Sequence, residues 1–222
     1  EKALKGERKS YCADDNSYYA HDRVLTTPFY TAYTRIGEGC SNRCTFCAIP
    51  LIRGAYRSRP ETDVLAEIEK LAKQGVREHI LVAQDTTRYG EDLYGENKFV
   101  ELLKKLSALE NIQKIRLLYC YPEMIGDELI EEIATNEKIL KYMDIPLQHS
   151  ENRILKLMNR KGTREEYLNL FKKLRKEIPE IAIRSTFISG FPSETEEEFE
   201  GMLNFIEEAK LLGRDVIISK KN

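Results

Sequence analysis

Strand-like apolar runs alternate with helix-like segments along this chain, and that alternation constrains the fold more than any other feature. The runs are TAYTRIGEG (31–39), HILVAQ (79–84), KIRLLYC (114–120), YMDIPLQ (142–148), IAIRSTFIS (181–189) and DVIIS (215–219). Between them lie ETDVLAEIEKLAKQG, KFVELLKKLSAL, DELIEEIAT, a helix opened by Thr163 and a long helix from Thr195 to Leu212. In the first of these Val64, Leu65, Ile68, Leu71 and Ala72 recur at helical spacing, and Gly75 supplies a stop. Asp127 is expected to cap the DELIEEIAT helix. The alternation specifies a parallel sheet with helices outside it. Periodicity alone leaves two architectures open, a doubly wound sheet or an incomplete barrel.

A chain of 222 residues buries a real core and most naturally forms one domain. We read residues 1–29 as a lead-in and 30–222 as the core. The net charge of -2, with acids and bases interleaved, gives no broad positive field for nucleic acid. Arg53, Arg57 and Arg59 form either a local basic patch or a solvated loop with carboxylate partners. No run approaches the roughly 18 apolar residues of a membrane span, and the N-terminus has no signal-peptide core. The expected setting is cytoplasmic, away from membranes. The chain begins at Glu1 without Met, so we expect a fragment or a processed chain.

Five cysteines, three of them within eight residues, argue against a disulfide scaffold and for metal ligation in a reducing compartment. CSNRCTFC places Cys40, Cys44 and Cys47 in the loop after the first strand. Thiolates are soft ligands for iron–sulfur clusters and for zinc. Three local ligands leave one coordination position open, as a catalytic metal requires. A structural zinc would need Cys12 or Cys120 as a fourth ligand. Other polar or turn-forming residues also follow strand ends: Gln84–Thr86, Tyr119–Pro122, Gln148–Ser150 and Gly190–Pro192. In barrels and wound sheets that edge binds ligands.

The CxxxCxxC motif, with Phe46 before its last cysteine, resembles the signature of the radical S-adenosylmethionine superfamily. Within it the chain is similar to the methylthiotransferases, through RIGEGCSNRCTFCAIPLIRGAYRSRP, LVAQDTTRYGEDLYG, IRLLYCYPE, YMDIPLQHSENRILKLMNRKGTREE and RSTFISGFPSETEEEF. AQDTTRYG, YCYPE and DIPLQH resemble the ribosomal-protein branch more than the tRNA-modifying one. The resemblance implies a partial (βα)6 TIM-like barrel of the radical SAM type. It also implies a [4Fe-4S] cluster on Cys40, Cys44 and Cys47, with S-adenosyl-L-methionine on the open iron and an external electron donor. The implied reaction adds a methylthio group to the β-carbon of an aspartate in small-subunit ribosomal protein uS12, carried out by a monomer. The alternatives are a tRNA adenosine methylthiotransferase and a non-enzymatic zinc-stabilised RNA- or protein-binding module. Full-length family members carry an N-terminal domain with a second [4Fe-4S] cluster and a C-terminal substrate-recruiting domain. A chain without them is expected to keep cofactor cleavage and to lack sulfur insertion. Ser193 stands where the family usually has glycine, and the tail LLGRDVIISKKN diverges from the family pattern.

Expected cofactor contacts are Phe46, Gln84, Asp85, Thr86, Gln148, Arg184 and Gly190. The side-chain oxygens of the QDTT segment suit the cofactor ammonium, although Asp85 and Thr86 also favour a plain turn and helix cap. Arg184 in the fifth strand requires a carboxylate if it points into the barrel. His149 is placed with Gln148 for ribose or substrate contact, with no acid–base role assigned. Ser193 or Thr195 is expected to cap the last helix, and the Asp85–Asn97 loop reads as an ordered lid or a surface ornament.

Overall fold

The computed structural model describes residues 23–211 and the backbone of a strand at Arg214–Ile218. The lead-in up to residue 22, with Cys12, lies outside the described residues.

The main strands are β1 (Thr31–Arg35), β4 (Glu78–Val82), β5 (Lys114–Leu117), β6 (Ile139–Asp144), β7 (Ala182–Ser189) and β8 (Arg214–Ile218). They form one six-stranded sheet in the order β1-β4-β5-β6-β7-β8, every pair parallel. Spatial order follows chain order, so no reversal point exists of the kind that defines a doubly wound sheet. Successive crossovers of one hand then place the helices on one face. This is the partial (βα)6 barrel. A short antiparallel pair, β2 (Gly37–Glu38) with β3 (Arg57–Ser58), brackets the cysteine loop.

The outer helices are α2 (Glu61–Lys73), α4 (Phe99–Ala108), α5 (Asp127–Thr135), α7 (Arg164–Glu177) and α8 (Glu196–Glu208). Alternation along the strands explains the layering. Ile183, Ser185 and Phe187 of β7 are buried against the helices, while Arg184, Thr186 and Ile188 on the other face are half-buried. Leu81, Ile115, Leu117, Leu102, Leu103 and Phe171 fill the sheet–helix layer. Each contributes about 1.5–3 kcal/mol by leaving water.

Helix starts follow local chemistry. Thr163 and Thr195 each form a capping box, with Glu166 and Glu198 respectively. Asp127 does not cap α5. The cap position is Gly126, and Asp127 lies in the first turn, where its charge still faces the positive helix end. α8 ends at Glu208, short of Leu212.

Three short helices escape the periodic pattern: α1 (Ile49–Arg53), α3 (Glu91–Tyr94) and α6 (Asn152–Leu157). α3 pins the Asp85–Asn97 loop against the barrel. Asp92 accepts from the Ser58 backbone amide (2.9 Å) and hydroxyl (2.6 Å), and the Tyr94 hydroxyl accepts from Glu61 N (2.9 Å). These bonds order the loop, although residues 92–97 stay exposed.

Candidate metal centre

The cysteine loop leaves β2 at Gly39, where the chain comes very close to its return strand. Gly39 has φ +78°, and a Cβ there would lie 2.2 Å from the Ala55 carbonyl oxygen. Only glycine permits that approach. Cys40 N then donates to Gly54 O (3.2 Å), and Cys47 N to Cys44 O (3.0 Å).

The far side of the loop is fastened by the segment after α6. Thr45 N donates to Met158 O (3.1 Å), and the Thr45 hydroxyl to Leu157 O (2.9 Å). The Asn159 side-chain amide donates to the carbonyls of Asn42 (3.3 Å) and Arg43 (3.0 Å). From inside, Asn42 Nδ2 donates to Asp85 Oδ2 (2.9 Å). All three loop cysteines are free and half-buried at the C-terminal edge of the sheet. Burial pushes the Cys40 thiol up, so ligation must take its proton.

Cys120 is no fourth ligand. It is fully buried, Thr86 Oγ1 lies 3.8 Å from its sulfur, and burial pushes its thiol up to about 12. Among the described residues, no three His, Cys, Asp or Glu side chains converge on a point where one metal ion would sit. Three soft thiolates on one short loop are a donor set that suits an iron–sulfur cluster.

The other expected site residues fall into two groups. Asp85 and Thr86 are fully buried and spend their side chains inside the protein. Asp85 accepts from Thr87 Oγ1 (2.7 Å), Arg88 Nε (3.1 Å) and Asn42, while Thr86 donates to Leu118 O (2.7 Å). Thr86–Arg88 form a short turn in which Asp85 makes no side-chain cap bond. Gln84 differs. Its Nε2 donates to Glu38 Oε1 (3.4 Å), and its Oε1 is buried without a partner. A buried orphan acceptor is costly, and it points to a missing donor.

Arg184 Nη1 donates to Asp144 Oδ1 (2.7 Å), and Asp144, 1 % exposed, also accepts from Tyr119 N (3.2 Å) through Oδ2. The carboxylate that an inward arginine requires is therefore present within the protein. Gln148 has φ +77° and bridges to β7, its N donating to Thr186 O (2.9 Å) and its O accepting from Ile188 N (2.8 Å). Phe46 is 39 % exposed beside the cysteines. Gly190 has φ +78°, and its N–H with that of Phe191 reaches Glu194 Oε2 (2.6 and 2.8 Å). A cavity of about 250 Å³ opens there, lined by Ser189, Gly190, Glu194, Thr195, Glu196 and Phe199. A larger hollow of about 420 Å³ between Phe99 and Leu129 contains none of the expected site residues.

His149 is fully buried. Its Nδ1 accepts from Glu151 N (3.0 Å), which leaves Nε2 to face Glu194 Oε1 at 3.4 Å. Burial pushes this imidazole down, against the pull of Glu194. The ring braces the Gly190 turn and makes no surface for ribose. The Arg53–Arg59 segment is not a shared basic patch either. Arg59 is 6 % exposed and paired with Glu67, while Arg53 reaches Glu38 at 3.8 Å.

Sequence reasoning missed Asp144, Asn159 and Glu194. Their distant partners, Arg184, Arg43 and His149, lie 40, 116 and 45 positions away respectively, although Glu194 also accepts locally from the Gly190 and Phe191 amides. The one available signal was a carboxylate, Asp144, at the end of an apolar strand.

The geometry now has a family. The Radical SAM superfamily model matches residues 34–206, and the chain belongs to that superfamily. It is similar to the ribosomal protein uS12 methylthiotransferase RimO of Clostridium botulinum (strain Hall), 54% identical over 210 residues, covering 94% of this chain and 47% of that protein. RimO of Desulforamulus reducens is 51% identical over 211 residues, covering 94% of this chain and 48% of that one. The chain thus spans about half the length of the curated relatives it matches. Among solved structures, the methyltransferase TsrM from Kitasatospora setae, with cobalamin and a [4Fe-4S] cluster bound, aligns with a TM-score of 0.68 at 18% identity. That match covers 85% of this chain and 36% of that one. Coproporphyrinogen III oxidase from Escherichia coli aligns at 0.61 with 19% identity, covering 85% and 43%. These likenesses show the fold.

Proposed function

We propose that this chain is the radical-generating core of a methylthiotransferase that modifies an aspartate of ribosomal protein uS12. The observation carrying this reading is the three-thiol loop, fastened on three sides at the sheet edge, with the orphaned Gln84 Oε1 at the same edge. The 51–54% identity to RimO proteins supports the substrate class.

Cys40, Cys44 and Cys47 would hold a [4Fe-4S] cluster with S-adenosylmethionine bound beside it. Held there and reduced, the cluster would supply the one-electron chemistry that cleaves S-adenosylmethionine. The chain's own residues bind and orient. Gln84, Asp85 and Thr86 would face the cofactor ammonium at this strand end, Gln84 through its orphaned Oε1. Arg184, held by Asp144, offers its solvent-facing third to a carboxylate. Gly190 and its Glu194-bound turn give the adenosyl group a close backbone wall beside the 250 Å³ cavity. Phe46 and Gln148 flank the cofactor from the cysteine loop and from the β6–β7 connection. The unit is residues 30–222, an external donor supplies electrons, and the protein acts as a monomer. No helix among the described residues is long and apolar enough to cross a membrane. We take the setting to be the cytoplasm, in keeping with reduced thiols and a ribosomal substrate.

The test gives the full-length protein containing this chain purified uS12 and unmodified tRNA in parallel, and reads a methylthio mass gain. Gain on the uS12 aspartate supports the reading. Gain confined to tRNA adenosine replaces it with the tRNA branch.

A further inference from the structure

Arg160 sits just after α6, and its side chain is almost removed from water at 7% exposure. Burying a guanidinium is costly unless an anion balances it. Its Nη2 donates to Pro146 O (2.7 Å), its carbon lies 4.1 Å above the Tyr121 ring centroid, and its Nη1 points at Cys44 Sγ, 3.8 Å away. Its Nε is buried without a partner. Glu123, a carboxylate whose charge reaches it, spends Oε1 on Gly162 N (2.8 Å) and the Tyr167 hydroxyl (3.3 Å). The Tyr121 hydroxyl, under the same guanidinium, lies 4.0 Å from the Cys44 sulfur. Among the described residues, a guanidinium and a phenol hydroxyl thus lie against this sulfur.

We infer that Arg160 is a positioning residue that holds positive charge on the Cys44 sulfur and thereby makes a cluster bound there easier to reduce. The inference rests on the reading of Cys40, Cys44 and Cys47 as cluster ligands. A one-electron reduction adds negative charge to the cluster, and a fixed cation with sulfur-directed donors favours the reduced form. A thiolate at Cys44 also adds a second anion beside the buried guanidinium, with Glu123 the first. Tyr121 works with Arg160, its ring fixing the guanidinium plane and excluding water that would screen the charge.

The experiment is an anaerobic redox titration of the iron- and sulfide-reconstituted chain, followed by electron paramagnetic resonance of the reduced cluster. Bound iron and the melting transition are measured on the same samples. Arg160→Met is expected to keep its iron and shift the reduction equilibrium at least tenfold toward the oxidised form, about 59 mV for one electron. Arg160→Lys, which keeps the charge, is expected to recover most of that shift. If Arg160→Met loses the native melt, Arg160→Gln replaces it, since its amide can still donate to Pro146 O, and the same tenfold shift is required. A full cluster with an unchanged midpoint in the neutral variant overturns the inference, as does an equal shift in the Lys and neutral variants. Absence of any cluster signal in the unmodified chain overturns the underlying reading instead, and the inference with it.

Discussion

The side-chain amide of Asn159 donates to the backbone carbonyl of Arg43 at 3.0 Å, joining residues 116 positions apart and closing the cysteine loop onto the segment after α6. Both residues have positive φ, +58° and +53°. Such backbone is sparsely populated outside glycine, and it gathers at this edge of the sheet, with Tyr119, Gln148 and Ser193 also left-handed. Clusters of strained backbone mark sites whose surroundings enforce the geometry.

Asn159→Gly keeps the left-handed backbone without strain and removes only the amide. The expected loss is about 1 kcal/mol, the net worth of one or two exposed hydrogen bonds. Iron retained after reconstitution and desalting is expected to fall more than the melting temperature does, because the loop loosens before the barrel. Iron content together with calorimetry checks this.

Ser193→Gly should stabilise the protein. Ser193 holds φ +71°, where a Cβ clashes with its own backbone. Relief is worth about 1 kcal/mol, or about 2–4 °C in a chain of this size. The lost contact, Arg153 to Ser193 Oγ at 3.4 Å, is long and exposed. A melting temperature equal to or below that of the unmodified chain would show that the turn does not carry this strain.

His79 makes stability fall on acidification. Burial pushes its imidazole down to about 4, with Arg23 adding to the shift and Glu67 opposing it. In the unfolded chain the ring titrates near its ordinary value of about 6.5, so between those values unfolding takes up a proton that the native state refuses. The contribution is complete above pH ~6.5 and lost toward pH ~4, at up to about 1.4 kcal/mol per unit. His79→Leu should reduce the slope of unfolding free energy against pH by about one proton over that window. Urea melts at pH 7, 6 and 5 measure it.

Arg184→Met leaves the buried Asp144 carboxylate with only the Tyr119 amide. Breaking a fully buried pair costs about 3–5 kcal/mol. With Arg184 one third exposed, we expect about 2 kcal/mol. Adding Asp144→Asn should restore much of that, since a neutral amide oxygen still accepts from Tyr119 N. S-adenosylmethionine affinity should stay reduced in both variants, as measured by equilibrium dialysis.

The layered fold was legible because its cause is periodic. Val64, Ile68, Leu71 and Ala72 are all buried on α2, as their spacing requires. The choice of barrel over doubly wound sheet was not legible from periodicity, because strand order is a property of tertiary pairing. α1 escaped because it buries none of its residues and so imposes no pattern. Asp127 misled because an acid in the first turn and an acid at the cap look alike in sequence. In the candidate site the three cysteines declared themselves by spacing. Arg160 and Asn159 did not, because their meaning lies in contacts with Cys44 and Arg43 across more than a hundred residues.

The central claim is that the Cys40–Cys44–Cys47 loop carries radical chemistry, and the most direct measurement is 5′-deoxyadenosine. The chain is reconstituted anaerobically with iron and sulfide, then reduced in the presence of S-adenosylmethionine. The account predicts 5′-deoxyadenosine together with visible cluster absorbance, both lost in Cys44→Ala. A well-folded chain that binds zinc, shows no such absorbance and forms no 5′-deoxyadenosine would contradict it.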